Sequence, residues 1–210
     1  MVMTLAEMKV GMERELMAIF GKSGVTNKTP GNIVFGAGTI HKGLKYMNGS
    51  WNFAESLVGA TNGGSKFTIT PEITNIEVDG IGVKSKGMAQ KTGETATMEI
   101  NLAELTKEVI QAATLGQLGT SEDSTYDVIE SKTEIAEGDY WENIAFVGKT
   151  LGGKYIIAIL ENALCTSGFE HEGKNKEGSA GKYTFECYAE FGDSTDQDVL
   201  PWHIYYPKAS

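Results

Sequence analysis

The side chains best suited to chemistry in this chain are few and far apart. His41, His171 and His203 are separated by long stretches, and no Ser or Cys stands in a strand-to-helix elbow where a histidine would take its proton, so no nucleophilic triad follows from the spacing. Cys165 and Cys187 are the only cysteines, and neither lies in the C-x-x-C pattern of a zinc or redox motif. Two reduced core thiols are the expectation. "GAGTIHKG" offers Gly36-x-Gly38 but has His41 where a dinucleotide fingerprint needs its third glycine, and no βαβ unit follows. "DSTDQD" holds Asp193, Asp196 and Asp198 without the central glycine and final glutamate of a calcium loop, which makes it a solvated turn. Asn27-Lys28-Thr29 and Asn48-Gly49-Ser50 match the glycosylation sequon, a match that carries meaning only in a secreted chain. The expectation is a non-enzyme with no catalytic residue, no cofactor and no metal.

What remains points to assembly. The chain has 18 basic and 28 acidic residues, a formal charge of −10, and Arg14 is its only arginine. Arginine supplies most bidentate phosphate and base contacts, so this surface is poorly equipped to grip nucleic acid and would repel it. A length of 210 residues suffices for a self-standing core, since a chain of this size buries roughly 70% of its unfolded surface. No apolar run approaches the ~18 residues of a membrane span. The N-terminus "MVMTLAEMKVGMERELMAIFGK" places Glu7, Glu13 and Glu15 among its apolar residues and lacks a basic n-region, so no signal peptide is read and folding in a cytoplasm is expected.

Periodicity divides the chain in two. Leu5, Met8, Met12, Leu16 and Ile19 recur at helical spacing, and Gly21, Gly24, Pro30 and Gly31 follow as a linker, so residues 1–31 read as a helical arm and linker. The helix is either an arm docked on its own subunit or on a neighbour, or an ordinary core helix. Residues 32–210 read as a single β-domain of short strands bounded by Gly, Asn and Ser, beginning with "NIVFGAGTI" and "KFTIT". Between these two, the Trp51–Gly64 stretch mixes turn formers with Trp51, Phe53, Leu57 and Val58, as in a structured loop with a partner.

The most regular segment is "PEITNIEVDGIGVKSKGMAQKTGETATMEINLAELTKEVIQAATLG", residues 71–116. In it Thr74, Ile76 and Val78 alternate with Asn75, Glu77 and Asp79, and Ala96, Met98, Ile100 and Leu102 with Thr95, Thr97, Glu99 and Asn101, predicting a sheet with one dry and one acidic, wet face. Thr92-Gly93 is read as the turn between "VKSKGMAQ" and the following strand. Thr106 is the expected N-cap of a short helix, with Glu108 in its first turn, Leu105 and Ile110 as a hydrophobic staple and Gly116 as its stop. Residues 117–140 read as a polar, acidic loop or projecting hairpin. Leu151-Gly152-Gly153 turns one later hairpin. In the next, setting Cys165 opposite Cys187 would pair Phe169 with Tyr183, Ser167 with Phe185 and Ala163 with Ala189. "VLPWHIYYP" closes the chain as a strand that covers an edge.

At residues 71–116 the sequence resembles the major tail tube proteins of long-tailed bacteriophages, in which an "EVDG"-like strand, a hairpin and a "TATMEINLAELT"-like strand lead into a short helix. "NIVFGAGTIHKGL" and "ESLVGATNGGSKFTITPEI" are similar to that family too, so the likeness spans roughly Asn32 to Gly116. It implies a mainly β fold with minor α, an antiparallel sandwich or barrel-like subunit that forms stacked hexameric rings. It further implies a lumen for transient, non-specific passage of DNA and enclosure of a tape measure protein. The implied partners are that protein, a tail terminator and tail-tip or baseplate proteins, with no membrane, and the implied place is the virion after assembly in the host bacterial cytoplasm. On this reading Glu77, Asp79, Thr95, Thr97, Glu99 and Asn101 are candidates to face the lumen, with Lys84 and Lys86 as partners for such acids. Trp51, Phe53, Tyr126 and Ile129, in the 51–64 and 117–140 loops, are candidates for ring stacking. Two other readings are a carbohydrate- or cell-surface-binding sandwich, with Trp51, Trp141 and Trp202 as stacking platforms, and an enzyme of unrecognised type.

Overall fold

The computed structural model describes residues 24–172, 180–192 and 199–208, together with Lys9. The helix expected over residues 1–22, Lys9 apart, and the run holding Asp193, Asp196 and Asp198 lie outside the described residues. What is described is mainly β with little helix. Its principal sheet runs in the order β1 (Thr39–His41), β8 (Trp141–Lys149), β9 (Tyr155–Cys165), β10 (Gly181–Cys187), β5 (Ala89–Leu102), β4 (Thr61–Asn75), and β11 (Trp202–Tyr205) also pairs with β9. Every pairing is antiparallel.

The sheet curls until its two ends are joined by one short segment. Beyond β1, Val58 N–H donates to Ile40 O at 2.9 Å and Lys42 N–H to Ser56 O at 2.7 Å. That same stretch then reaches the other end, where Ala103 N–H donates to Ala60 O at 2.8 Å and Thr61 pairs with Leu102. A barrel-like enclosure results, and closing a sheet in this way satisfies edge groups that would otherwise stay open. Inside it lie Ile40, Met98, Ile100, Ile144, Leu160, Tyr183 and Phe185, each fully buried. The helix α3 (Lys107–Thr114) adds Val109, Ala112 and Ala113 to this core. A second cluster, Leu44, Ala145, Val147, Ile157 and Ile159, packs beneath Trp51 and Phe53, which belong to β3 (Ser50–Trp51), the partner of β2 (Tyr46–Met47), and to the helical turn α2 (Phe53–Ser56), which follows the earlier turn α1 (Thr29–Asn32).

The α3 boundaries follow from local chemistry. Val109 N–H donates to the Thr106 hydroxyl at 3.4 Å, the expected N-cap. The left-handed stop is Leu115 (φ 49°) rather than Gly116. Gly116 serves another purpose, since a Cβ there would meet Ile129 Cγ2 at 2.7 Å. Within residues 117–140, β6 (Gln117–Gly119) and β7 (Val128–Glu130) form a small hairpin, tied to α3 by Lys107 and Asp127 at 2.6 Å, and a helical turn follows at Glu137–Asp139. The turn expected at residues 151–153 is present: Gly153 N–H donates to Thr150 O at 2.9 Å.

Three expectations are corrected. Thr92-Gly93 is no turn: Glu72 pairs with Gly93 and Ile73 with Lys91, so Thr92 is a bulge inside a continuous β5. The chain reverses instead through residues 76–88, where Gly80 (φ 87°) and Gly87 (φ 93°) supply the left-handed positions. Ile76 and Val78 consequently sit in this loop, 48% and 45% exposed, where no second layer among the described residues buries them. In the later hairpin Cys165 lies opposite Phe185 and Cys187 opposite Ala163, a register two residues from the expected one. An even shift preserves the faces, so Tyr183, Phe185 and Cys187 still point inward. Finally, within "NIVFGAGTI" only Thr39 onward is strand; Val34 touches the sheet through a single bridge to Thr150. At the far end Tyr206 O–H donates to Asn32 Oδ1 at 2.9 Å.

Candidate functional site

The outward face of β4, β5 and β10 is the most regular polar surface of the described residues. On β5, Ala96, Met98, Ile100 and Leu102 are buried, which turns Thr95, Thr97, Glu99 and Asn101 to the opposite side. Directly paired residues share that side: Lys66 with Glu99, Thr68 with Thr97 and Thr70 with Thr95 from β4, and Lys182 with Asn101, Thr184 with Glu99 and Glu186 with Thr97 from β10. Four of the six candidate lumen-facing residues are thereby brought together. Glu77 and Asp79 are not among them, because both lie in the 76–88 loop beyond the end of β4.

This face is threonine-rich and nearly neutral rather than acidic. Glu99 is clamped between Lys182 Nζ at 2.6 Å and Lys66 Nζ at 3.6 Å. Lys182 beside it, then Lys66, holds the Glu99 carboxyl below its usual range. Lys84 and Lys86 are not its partners; among the described residues they lie in no ion pair, and they sit in the 76–88 loop. Asn101 Nδ2 donates to Gly64 O at 3.0 Å, pinning the irregularity between Thr61 and Ser65 where the register of β4 on β5 shifts.

Beyond the barrel, β4 and β5 continue as a two-stranded arm. Residues 70–74 and 89–92 are exposed throughout, and Ile73 is 61% exposed. Across its length, no strand among the described residues pairs with the outer edge of β4. A fifteen-residue strand with one open edge presents a row of unpaired backbone donors and acceptors.

The stacking candidates divide. Tyr126 is 69% exposed and Ile129 half-buried on β7. Trp51 and Phe53 are committed within their own chain: Trp51 lies against Tyr46 (5.4 Å), Tyr205 (5.0 Å) and Phe53 (6.4 Å), and Phe53 against Tyr155 (5.8 Å). Among the tryptophans read as platforms, Trp141 is buried with Phe185 at 4.7 Å and the Lys42 ammonium over its ring at 4.5 Å, and Trp202 packs on the main core.

Residues that invited chemical readings serve packing here. A Cβ at Gly38 (φ 70°) would lie 2.3 Å from the Phe146 ring, so this glycine permits a side chain to cross it. Cys165 and Cys187 are free and buried, and burial pushes both thiols up, Cys187 to about 11. Sequence reasoning missed one pairing: His41 Nδ1 lies 2.9 Å from Ser56 Oγ, and its Nε2 lies 2.8 Å from Thr39 Oγ1. Ser56 O–H also reaches Asn52 O at 2.8 Å. With Thr39 where a triad would place a carboxylate, the group is a buried hydrogen-bond relay that anchors α2 to β1. The only signal for it was the polar type of two residues fifteen apart.

No helix among the described residues is long and apolar enough to cross a membrane. A scan of known protein families and a search of curated proteins found no match to this chain.

Proposed function

We propose that the chain is a structural subunit of a bacteriophage tail tube, built into hexameric rings that stack around a lumen through which DNA passes. The observation that carries this reading is the open β4 edge, set beside a polar face. Such an edge is a template for pairing with another copy, and head-to-tail pairing that closes on itself generates a ring. The β5 face suits a lumen wall for a polyanion. Phosphate adhesion requires free cations that release counterions, and here Lys66 and Lys182 are both held by Glu99. The tape measure protein, terminator and tip proteins of such a tail would be its further partners, and the virion its place.

Negative-stain electron microscopy of the purified chain across a concentration series tests the proposal. Rings or hollow tubes of uniform width are the expected result. Monomers at every concentration, also after addition of preformed tail-tip complexes, would overturn it.

A further inference from the structure

Which surfaces meet between copies can be argued from two that complement each other. The first is the tip of the β4–β5 arm. On its returning limb Ile81 is 44% and Val83 78% exposed, followed by Lys84 and Lys86, which lie in no ion pair among the described residues. The tip's hydrogen bonds stay local: Ile76 N–H to Met88 O, Ile81 N–H to Val78 O and Met88 N–H to Ser85 O. The hollow at the tip is likewise lined by residues 75–88 alone. Nothing among the described residues receives these apolar side chains. Glu77 and Asp79 lie on the outgoing limb, so the charge of the tip is divided between its two sides.

The second surface is a cleft of about 740 Å³ between the 137–139 turn, β8, β9 and the segment after β10. Tyr140 and Tyr188 meet edge to face at 5.6 Å on its wall, and Phe191 stands 95% exposed at its rim. Carboxylates surround these rings. Glu137 lies in no ion pair among the described residues, while Glu142 is shared with Lys45 at 3.1 Å. Aromatic walls with acidic margins accept an apolar segment that carries cations, through burial, ring faces and charge pairing.

Resting on the tube-subunit reading, we propose that the returning limb of the arm, Ile81 to Lys86, seats in the Tyr140–Tyr188 cleft of a neighbouring copy. Val83 packs against the exposed sides of this ring pair, and Lys84 or Lys86 reaches Glu137. The occupant is a second copy because this limb is an apolar and cationic complement that the chain itself carries, and among the described residues it is left uncovered.

Cross-linking between copies tests the contact. Val83→Cys and Glu137→Cys are made as separate chains, mixed, and oxidised with copper phenanthroline; Cys165 and Cys187 are buried and do not compete. The expected result is a disulfide-linked dimer from the mixture and none from either chain alone. In parallel, Lys84→Glu with Lys86→Glu should raise the concentration at which assembly begins by about tenfold or more, and adding Glu137→Lys should restore it. Assembly seen by sedimentation without the cross-link and without the charge effect overturns this contact while the tube-subunit reading stands. Monomers throughout, with no cross-link, overturn both.

Discussion

His41 is a buried imidazole whose ring nitrogens both face hydroxyls rather than carboxylates. Burial holds its pKa below the ordinary 6.5, with a backbone contact at Phe53 opposing in part. The sign of the consequence follows from linkage. Below 6.5 the unfolded chain takes up a proton that the folded chain refuses, so the stability His41 supports is fully present above that pH and is lost as pH falls through the folded value. Urea midpoints measured from pH 8 to pH 5 should therefore decline below about 6.5, and in His41→Gln this part of the decline should be absent. An equal slope in both proteins would show that other groups govern it.

At the scale of elements, β5 joins the core to the polar face, and Glu99 is the place to perturb it. Glu99→Gln removes the negative charge between Lys66 and Lys182 and leaves both ammonium groups uncompensated. The variant should fold as before but bind short duplex DNA more tightly at low salt, an effect read by fluorescence anisotropy and abolished as salt rises. Unchanged anisotropy would mean that this face is not where DNA meets the chain. The strand itself was legible from sequence, because period-two alternation is local and Met98, Ile100 and Leu102 have a core to fill. So was the cap at Thr106, which needs only a hydroxyl before the first turn. The arm was not, because Ile76 and Val78 alternate like core residues yet lie where no second layer among the described residues covers them. Thr92-Gly93 has the composition of a turn, and only the pairing of Glu72 and Ile73 across from it reveals a bulge. The register of β9 and β10 escaped for a similar reason: both candidate pairings put the same residues inside, and alternation cannot separate them. Glu99 was expected to repel, but cross-strand lysines from distant parts of the chain neutralise it, which no local pattern records.

For the whole molecule, the formal charge of −10 sets the terms of association. Copies of one acidic chain repel at long range, and the repulsion is screened beyond a Debye length of about 8 Å at physiological salt. Light scattering should show assembly beginning at lower concentration in 0.5 M than in 0.05 M sodium chloride, on the order of the shift expected for screened surface charge; the reverse order would mean that ion pairs such as the proposed arm contact outweigh that repulsion. A different property follows from the bond between Tyr206 and Asn32, 2.9 Å across and 174 residues apart in sequence. The two ends of the stretch from residue 32 to residue 206, which carries the whole principal sheet, therefore lie close together. A short linker between those two residues would make the backbone an unbroken circle, and new ends opened near Asp123, in the exposed bend between β6 and β7, would leave every pairing of the principal sheet in place. The domain is thus a natural candidate for circular permutation, with its point of attachment to any neighbouring sequence movable from one face of the molecule to another.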